Sequence, residues 1–217
     1  YNSVIFTMPF NISQLKRPVV LLGNGETPTH RVPTKLLNNA ETVLCADGGA
    51  NKLENFKLKP NIILGDLDSI SNKSFDCEVI ELKDQSKTDI EKCLNWCLEN
   101  GINKISLIGF SGEQDDHWMV SLWTLVSFVE SMELTYYSNF SKIICVKDYT
   151  QIDSIKDQTI SIIPTKENIK ITTTGLQYPI NNSILKPPSF GIRNSAKGNY
   201  FSIQATGPVW VFLNYEN

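Results

Sequence analysis

The chain contains several short apolar runs that lead directly into glycine or aspartate, and helix-like segments separate these runs. The run at 42–46 precedes Asp47, and the run at 61–64 precedes Gly65 and Asp66. Short runs without polar residues suit strands buried on both faces, and strands that alternate with helices require a mostly parallel sheet. Strands are predicted at 18–23, 42–46, 61–64, 104–110 and 142–146, and helices at 33–39, 49–55, 88–100 and 115–134.

The sequence pattern changes beyond about residue 150. Helical periodicity gives way to short β-type runs separated by glycine and proline turns, which favours a small antiparallel sandwich or barrel. We therefore expect an α/β fold with a Rossmann-like parallel sheet flanked by helices in residues 1–150, and an all-β sandwich domain in residues 151–217. The β-type runs are TISIIP, IKITTTG, YFSIQA and VWVFL.

Charge and composition limit the partners and the compartment. A net charge of −3 without a basic face gives no support to binding of nucleic acid or a membrane surface, and no apolar run approaches the ~20 residues that cross a bilayer. Five cysteines, an odd number, argue against a disulfide framework, so we expect a reducing, cytoplasmic location. Residues 1–18 lack the layout of a signal peptide and are interpreted as an extension.

Two aspartates separated by one residue follow the third predicted strand. In an extended segment, alternate side chains point to the same side, so Asp66 and Asp68 could reach one ion. Carboxylates are hard ligands that suit Mg²⁺, which commonly binds together with substrate phosphates. Aspartates at strand ends also cap turns, but two of them after an apolar run and beside Ser69 favour a metal site.

The turn after the second predicted strand contains Asp47, Gly48 and Gly49. The two glycines would let the backbone approach a phosphate, and the start of the next helix favours an anion. The spacing matches neither G-x-G-x-x-G nor a P-loop, and Asp-Gly-Gly is also a common turn. The functional interpretation therefore depends on the position of Asp47 beside Asp66 and Asp68 in the predicted strand order.

A third polar cluster, DQSKTD at 84–89, precedes a clearly signalled helix. Thr88 and Glu91 have the spacing of a capping box, which starts the helix at Asp89 and favours that carboxylate in the first turn. Lys87 could neutralise a polyphosphate, and Asp89 could ligate the ion. A capped surface helix would explain Thr88 and Glu91 without any ligand, but it explains Asp84 and Gln85 less readily.

The fourth cluster, GFSGEQDDH at 109–117, precedes a long predicted helix. The helix dipole alone explains Asp115 and Asp116 at the helix start. A nucleophilic triad is a poor alternative, because Ser111 lacks a G-x-S-x-G setting and the chain has only two histidines. This cluster indicates a function only together with the other three.

Taken in order, these clusters resemble the motifs of the thiamine pyrophosphokinase family. The resemblance implies transfer of a pyrophosphoryl group from ATP to the hydroxyl of thiamine, with Mg²⁺ as cofactor, giving thiamine diphosphate and AMP. It also implies a homodimer with its sites at the subunit interface. The match spans about residues 18–213 and consists of ADGGAN at 46–51, GDLDS at 65–69, DQSKTD at 84–89, TTTGL at 172–176, and Asn194 and Trp210.

The resemblance assigns roles to residues in both predicted domains. The acidic clusters would hold the metal, the polyphosphate and the attacking hydroxyl, and the β-domain would bind thiamine. Trp210 could stack on a flat cationic ligand, although a tryptophan in an apolar strand usually belongs to the core. The implied metal ligands are Asp66, Asp68 and Asp89; the catalytic residues are Asp47, Asp116 and Lys87; the ATP contacts are Gly48, Ser69, Asp84 and Gln85; and the thiamine contacts are Asn194, Ser195 and Trp210.

Two departures from the family pattern leave alternatives open. Glu113 and Gln114 stand where the family commonly has Gly-Arg, and Arg193 stands where it has serine. A non-catalytic thiamine- or nucleotide-binding module would tolerate the missing arginine. A metal-dependent phosphoesterase also uses aspartate clusters, but it would need more histidine ligands than the two present.

Overall fold

The computed structural model describes residues 15–70, 75–112 and 114–215. The chain forms two compact units, Tyr1–Glu113 and Gln114–Asn217. Most of the predicted extension at 1–18, and Glu113 of the fourth cluster, lie outside the described residues. Within the described ranges, no helix combines the length and apolar character needed to cross a membrane.

The first unit contains a parallel sheet whose five described strands follow the order β5-β1-β2-β3-β4. Every residue of β1, β2 and β3 is buried, as expected of parallel strands covered on both faces. Strand β4, which alternates between half-buried and exposed residues, was not predicted. The strands are β1 (Val19–Leu22), β2 (Thr42–Ala46), β3 (Ile62–Gly65), β4 (Glu78–Glu81) and β5 (Lys104–Ile108).

The helices of the first unit are α1 (Arg31–Asn38), α2 (Gly49–Lys52) and α3 (Asp89–Glu99), and a short 3₁₀ helix follows α2. The predicted helix at 49–55 is therefore split, and it ends where Lys57 adopts a left-handed conformation with φ 56°. The predicted start of α3 at Asp89 is confirmed, because the capping box of Thr88 is present.

The second unit begins with α4 (Asp115–Ser127) and continues as β-strands. The predicted helix at 115–134 is too long, since the helix ends at Ser127 and residues 133–137 form β6. Their alternating burial follows the period of a strand rather than a helix. The strands are β6 (Glu133–Tyr137), β7 (Ser141–Asp153), β8 (Thr159–Pro164), β9 (Lys170–Thr174), β10 (Ser183–Ile184), β11 (Asn194–Ser195) and β12 (Tyr200–Asn214).

Strand β12 organises the antiparallel part of the second unit. It pairs along its length with β7, and with β9 and β8 on its other side. The runs YFSIQA and VWVFL, predicted as two strands, are one strand with a register shift between Ala205 and Val209. The predicted domain boundary at residue 150 falls inside β7, and the division into two domains there stays a prediction.

Candidate active site

The carboxyl ends of the parallel strands bring several loops of the first unit together. Strand β1 has β2 on one side and β5 on the other, so the strand order reverses at β1, where open α/β sheets form a ligand crevice. The loops after β1 and β5 are joined by backbone hydrogen bonds. Gly25 donates to the Gly109 carbonyl at 2.7 Å, and Glu26 donates to the Ser111 carbonyl at 2.5 Å.

The glycines of these loops lie against neighbouring backbone. A Cβ on Gly49 would lie 2.4 Å from the Leu22 carbonyl oxygen, and one on Gly23 would lie 2.5 Å from the Gly109 carbonyl oxygen. Real side chains do not make such short contacts. The start of α2 can therefore approach the end of β1 only because residue 49 is a glycine.

Three aspartates from the ends of β2 and β3 converge at this edge. Asp47, Asp66 and Asp68 each offer an oxygen atom, and these atoms all lie within 4.8 Å of one another. Asp47 is buried and Asp68 is exposed, so the cluster runs from the protein interior to its surface. Hard oxygen ligands at this spacing fit Mg²⁺.

Asp47 has one carboxylate oxygen bound and one available. Its Oδ2 accepts the Ser69 N–H at 3.2 Å. Its Oδ1 is buried and has no hydrogen-bond partner among the described residues. Burial, and then the charges of Asp66, Asp68 and Asp89, raise the pKa of Asp47 above its usual value. A buried acceptor without a donor favours a cation or a proton at this place.

Lys92 on α3 places an ammonium between two of the aspartates. Its side chain is only 4% exposed, and its ammonium lies 3.1 Å from Asp66 Oδ2 and 2.7 Å from Asp89 Oδ1. The hydrogen bond from Lys92 is the largest effect that lowers the pKa of Asp66. Burial opposes the charge on Lys92, but the two carboxylates outweigh it and raise the pKa of the lysine.

Of the predicted site residues next to Lys87 in the sequence, one contacts the carboxylate cluster and the others form a separate surface pair. Gln85 donates from Nε2 to Asp66 Oδ2 at 3.3 Å, so it joins the carboxylate cluster. Lys87 instead pairs with Asp84 at 3.1 Å on the surface. Bonds from the Ser86 hydroxyl and from Lys87 lower the pKa of Asp84 to about 2.

Asp116 lies in the second unit, in the exposed first turn of α4. Its Oδ1 accepts the His117 N–H at 2.9 Å, as a carboxylate at a helix start commonly does. The other histidine, His30, is the N-cap of α1, where its Nδ1 accepts the Val32 N–H at 3.2 Å. A helix cap accounts for His30 without a metal.

The predicted thiamine contacts also lie in the second unit and are engaged in protein contacts. Buried Asn194 donates from Nδ2 to the Tyr178 carbonyl at 2.6 Å and accepts the Tyr178 N–H at 3.1 Å. Trp210 is 7% exposed and donates from Nε1 to the Leu122 carbonyl at 2.9 Å. Its ring packs edge-on against Trp123, with 4.8 Å between centroids. Their contact with thiamine stays a prediction.

Comparison with known proteins assigns the chain to a family. Residues 33–137 match the model of the thiamin pyrophosphokinase catalytic domain, and residues 143–210 match the model of the thiamin pyrophosphokinase vitamin B1 binding domain. A thiamin pyrophosphokinase of Caenorhabditis elegans is 31% identical over 75% of this chain and 74% of its own length. The chain belongs to the thiamin pyrophosphokinase family. The family resemblance inferred from the motifs is thereby confirmed.

Solved structures of the thiamin pyrophosphokinase family share the fold. The thiamine pyrophosphokinase of Bacillus subtilis superposes with a TM-score of 0.78 at 22% identity, covering 92% of this chain and 99% of its own. The enzyme from Candida albicans gives a TM-score of 0.75 at 18% identity, covering 91% and 90% of the two chains. The mixed α/β fold is therefore that of the family.

Three residues that contact the acidic cluster or the loops beside it were not among the predicted site residues. Lys92 lies three positions after Asp89 on a helix, and that spacing was the signal that could have found it. Asn51 donates to the Ser69 carbonyl at 3.1 Å. Lys52 donates to backbone carbonyls of the loop after β1. Asn51 ends the ADGGAN motif, but its contact and that of Lys52 depend on the fold.

Replacing Gly49 by alanine tests the close approach of α2 to β1. Because the new Cβ would meet the Leu22 carbonyl and the backbone must shift, we expect the free energy of unfolding to fall by about 1–3 kcal/mol. Gly198→Ala is the matched control, since a Cβ there meets nothing within 4 Å, and we expect a change within about 0.5 kcal/mol. Urea unfolding measures both, and an equal effect at the two positions would contradict the packing argument.

Proposed function

We propose that this protein transfers a pyrophosphoryl group from ATP to the hydroxyl of thiamine, giving thiamine diphosphate and AMP. The observation that carries the proposal is the convergence of Asp47, Asp66 and Asp68 at the carboxyl ends of parallel strands. The chain also matches both the catalytic and the vitamin B1 binding models of the family. Such a site would hold a divalent cation, and that cation would neutralise charge on a polyphosphate, which is the main requirement of phosphoryl-type transfer.

The carboxylates suit a divalent metal that accompanies ATP. Asp66, Asp68 and Asp89 would hold Mg²⁺, which supplies charge neutralisation to the polyphosphate when bound. Gln85 supports this assignment, since it orients Asp66 by a hydrogen bond to Oδ2. Gly48 and Ser69 lie next to the aspartates, while Lys87 and Asp84 form a surface pair that could open toward phosphates.

The reaction forms a bond between the thiamine oxygen and the β-phosphorus and breaks the bond between that phosphorus and the α-phosphate. AMP leaves with the electron pair, and the hydroxyl proton goes to a carboxylate. Asp47 suits proton acceptance, because its Oδ1 has no donor among the described residues and its pKa is raised, chiefly by burial. Asp116 is the second candidate, and its exposure would allow it to approach a bound hydroxyl.

Thiamine binding is proposed for the residues after 150, in a β-sandwich domain that accompanies a Rossmann-like N-terminal domain. The support is the match of residues 143–210 to the vitamin B1 binding model. Asn194 and Ser195 lie on β11, and Trp210 lies on β12. Because the polar atoms of Asn194 and the indole N–H are bound to the protein, these residues would contact thiamine through their remaining surfaces.

A cytoplasmic homodimer, with its sites at the subunit interface, is the proposed form of the enzyme. All five cysteines are free thiols, which suits a reducing compartment. Helix α4 carries three exposed apolar side chains, Met119, Val120 and Trp123. Their spacing puts them on one side of the helix, and exposed apolar patches of this kind commonly mark protein interfaces.

The function is tested by incubating the protein with ATP, Mg²⁺ and thiamine and resolving the nucleotides by chromatography. We expect AMP and thiamine diphosphate in equal amounts, formed only when thiamine is present. Formation of ADP would indicate transfer of a single phosphoryl group, and phosphate released without thiamine would indicate a phosphoesterase. Thiamine binding without turnover would indicate a non-catalytic module.

Asp68→Asn tests the metal assignment. The substitution keeps the size of the side chain but removes a charged oxygen ligand, so we expect kcat to fall by about 100-fold or more. Thermal unfolding should be unchanged, because Asp68 is exposed. Asp153→Asn, at an exposed position of β7, is the control and should keep full activity. Substantial activity in Asp68→Asn would rule out Asp68 as a required ligand.

Met119→Glu tests the proposed interface. A charge on the apolar face of α4 should oppose burial against a second copy, so we expect the dimer to dissociate. Light scattering coupled to size-exclusion chromatography measures the mass directly. Leu98→Glu is the control, since Leu98 is an exposed aliphatic residue on α3. A variant that remains dimeric would place the interface elsewhere.

A further inference from the structure

Lys92 is a buried ammonium between two of the proposed metal ligands. Its side chain is 4% exposed, and it contacts Asp66 Oδ2 at 3.1 Å and Asp89 Oδ1 at 2.7 Å. A lysine is rarely buried to this extent unless it is paired, so the two carboxylates account for its burial. The two carboxylates in turn depend on Lys92, because both of them contact its ammonium group.

The fold explains why Lys92 reaches this place. The capping box begins α3 at Asp89, and Lys92 follows one turn later on the same side of the helix. The neighbouring residues Ile90 and Cys93 are buried in the core, and the Cys93 thiol lies 3.7 Å from the Leu64 carbonyl. The helix face that carries Lys92 is therefore held against the end of β3.

The contacts of Lys92 use oxygens that a metal would also need. Asp66 Oδ2 accepts from Lys92 and from Gln85. Among the described residues, the convergent carboxylates are Asp47, Asp66 and Asp68, and Asp89 is outside this group. Asp89 is instead bound to Lys92. The lysine thus engages the carboxylate that would complete the metal site.

We propose that Lys92 is a positioning residue that holds Asp66 and Asp89 and competes with the divalent cation for them. This inference rests on the metal assignment of the proposed function. The positive charge of Lys92 weakens the attraction of the aspartates for a free cation. The metal therefore binds well only together with a polyphosphate, whose own charges add to those of the aspartates. Lys92 also keeps the Asp89 carboxylate close to the proposed metal site.

A structural ion pair and a competing cation predict different effects of substitution. If Lys92 only stabilises the fold, its loss should loosen the aspartates and weaken metal binding together with activity. If Lys92 competes with the metal, removal of a positive charge a few ångströms from the ion should strengthen metal binding. Turnover should still fall, because Asp66 and Asp89 lose the contact that orients them.

Lys92→Met keeps the length of the side chain and removes its charge. We measure binding of Mn²⁺ to the nucleotide-free protein by electron paramagnetic resonance, as a probe for Mg²⁺. We expect the Kd for Mn²⁺ to fall by about tenfold or more, from the loss of one nearby positive charge. We also expect kcat at saturating Mg²⁺ to fall by about tenfold or more, with the KM for thiamine unchanged. Lys92→Arg, which keeps the charge, should leave the Kd within about threefold of the original.

Lys59→Met is the matched control, because Lys59 is an exposed lysine that also faces a carboxylate, Asp76, at 3.8 Å. It should change neither the Kd nor kcat. Should Lys92→Met fail to fold, Lys92→Gln carries the same expectation, since it keeps a hydrogen-bond donor without the charge. An unchanged or weaker affinity for Mn²⁺ in a folded, uncharged variant overturns the proposal. Because this measurement needs neither ATP nor thiamine, its outcome is independent of the thiamine assay.

Discussion

Repulsion between carboxylates is the constraint that the first unit must satisfy. Asp66, Asp68 and Asp89 each raise the pKa of buried Asp47, although burial itself is the larger cause. The donors that hold these carboxylates include the Lys92 ammonium, the Gln85 amide and the Ser69 N–H. Each comes from a different segment of the chain, so the cluster depends on the packing of the whole edge of the sheet.

Close backbone packing is the second requirement of this edge. A Cβ on Gly65 would lie 2.9 Å from Asp47 Cβ, and a Cβ on Gly49 would meet the Leu22 carbonyl. Glycines beside aspartates first suggest a backbone that approaches a phosphate. In this fold they have an additional cause, because neighbouring strands and loops lie too close for any side chain. Close packing alone therefore accounts for glycine at these positions.

Short sequence patterns predicted the helices and strands that depend on residues close together in the sequence. The buried run at 42–46 is β2, and the capping box begins α3 at Asp89. The Asp66–Asp68 spacing predicted that both side chains could reach one ion; their oxygen atoms lie within 4.8 Å of each other, and the metal assignment stays a prediction. Long-range pairing decided the rest. The continuous strand β12 exists because β7 pairs with both of its halves, and Lys92 reaches Asp66 only because α3 packs against β3.

The second unit shows why residue type alone cannot separate residues that bind a ligand from residues that hold the site. Both hydrogen-bonding atoms of the Asn194 amide are engaged with Tyr178, and the Trp210 N–H is engaged with Leu122. Breaking these partly buried contacts for a ligand would lose hydrogen bonds that each contribute about 0.5–1.5 kcal/mol. The engaged atoms fix the loop at Tyr178 and helix α4, so recognition by these two residues would use the surfaces that lie outside these contacts.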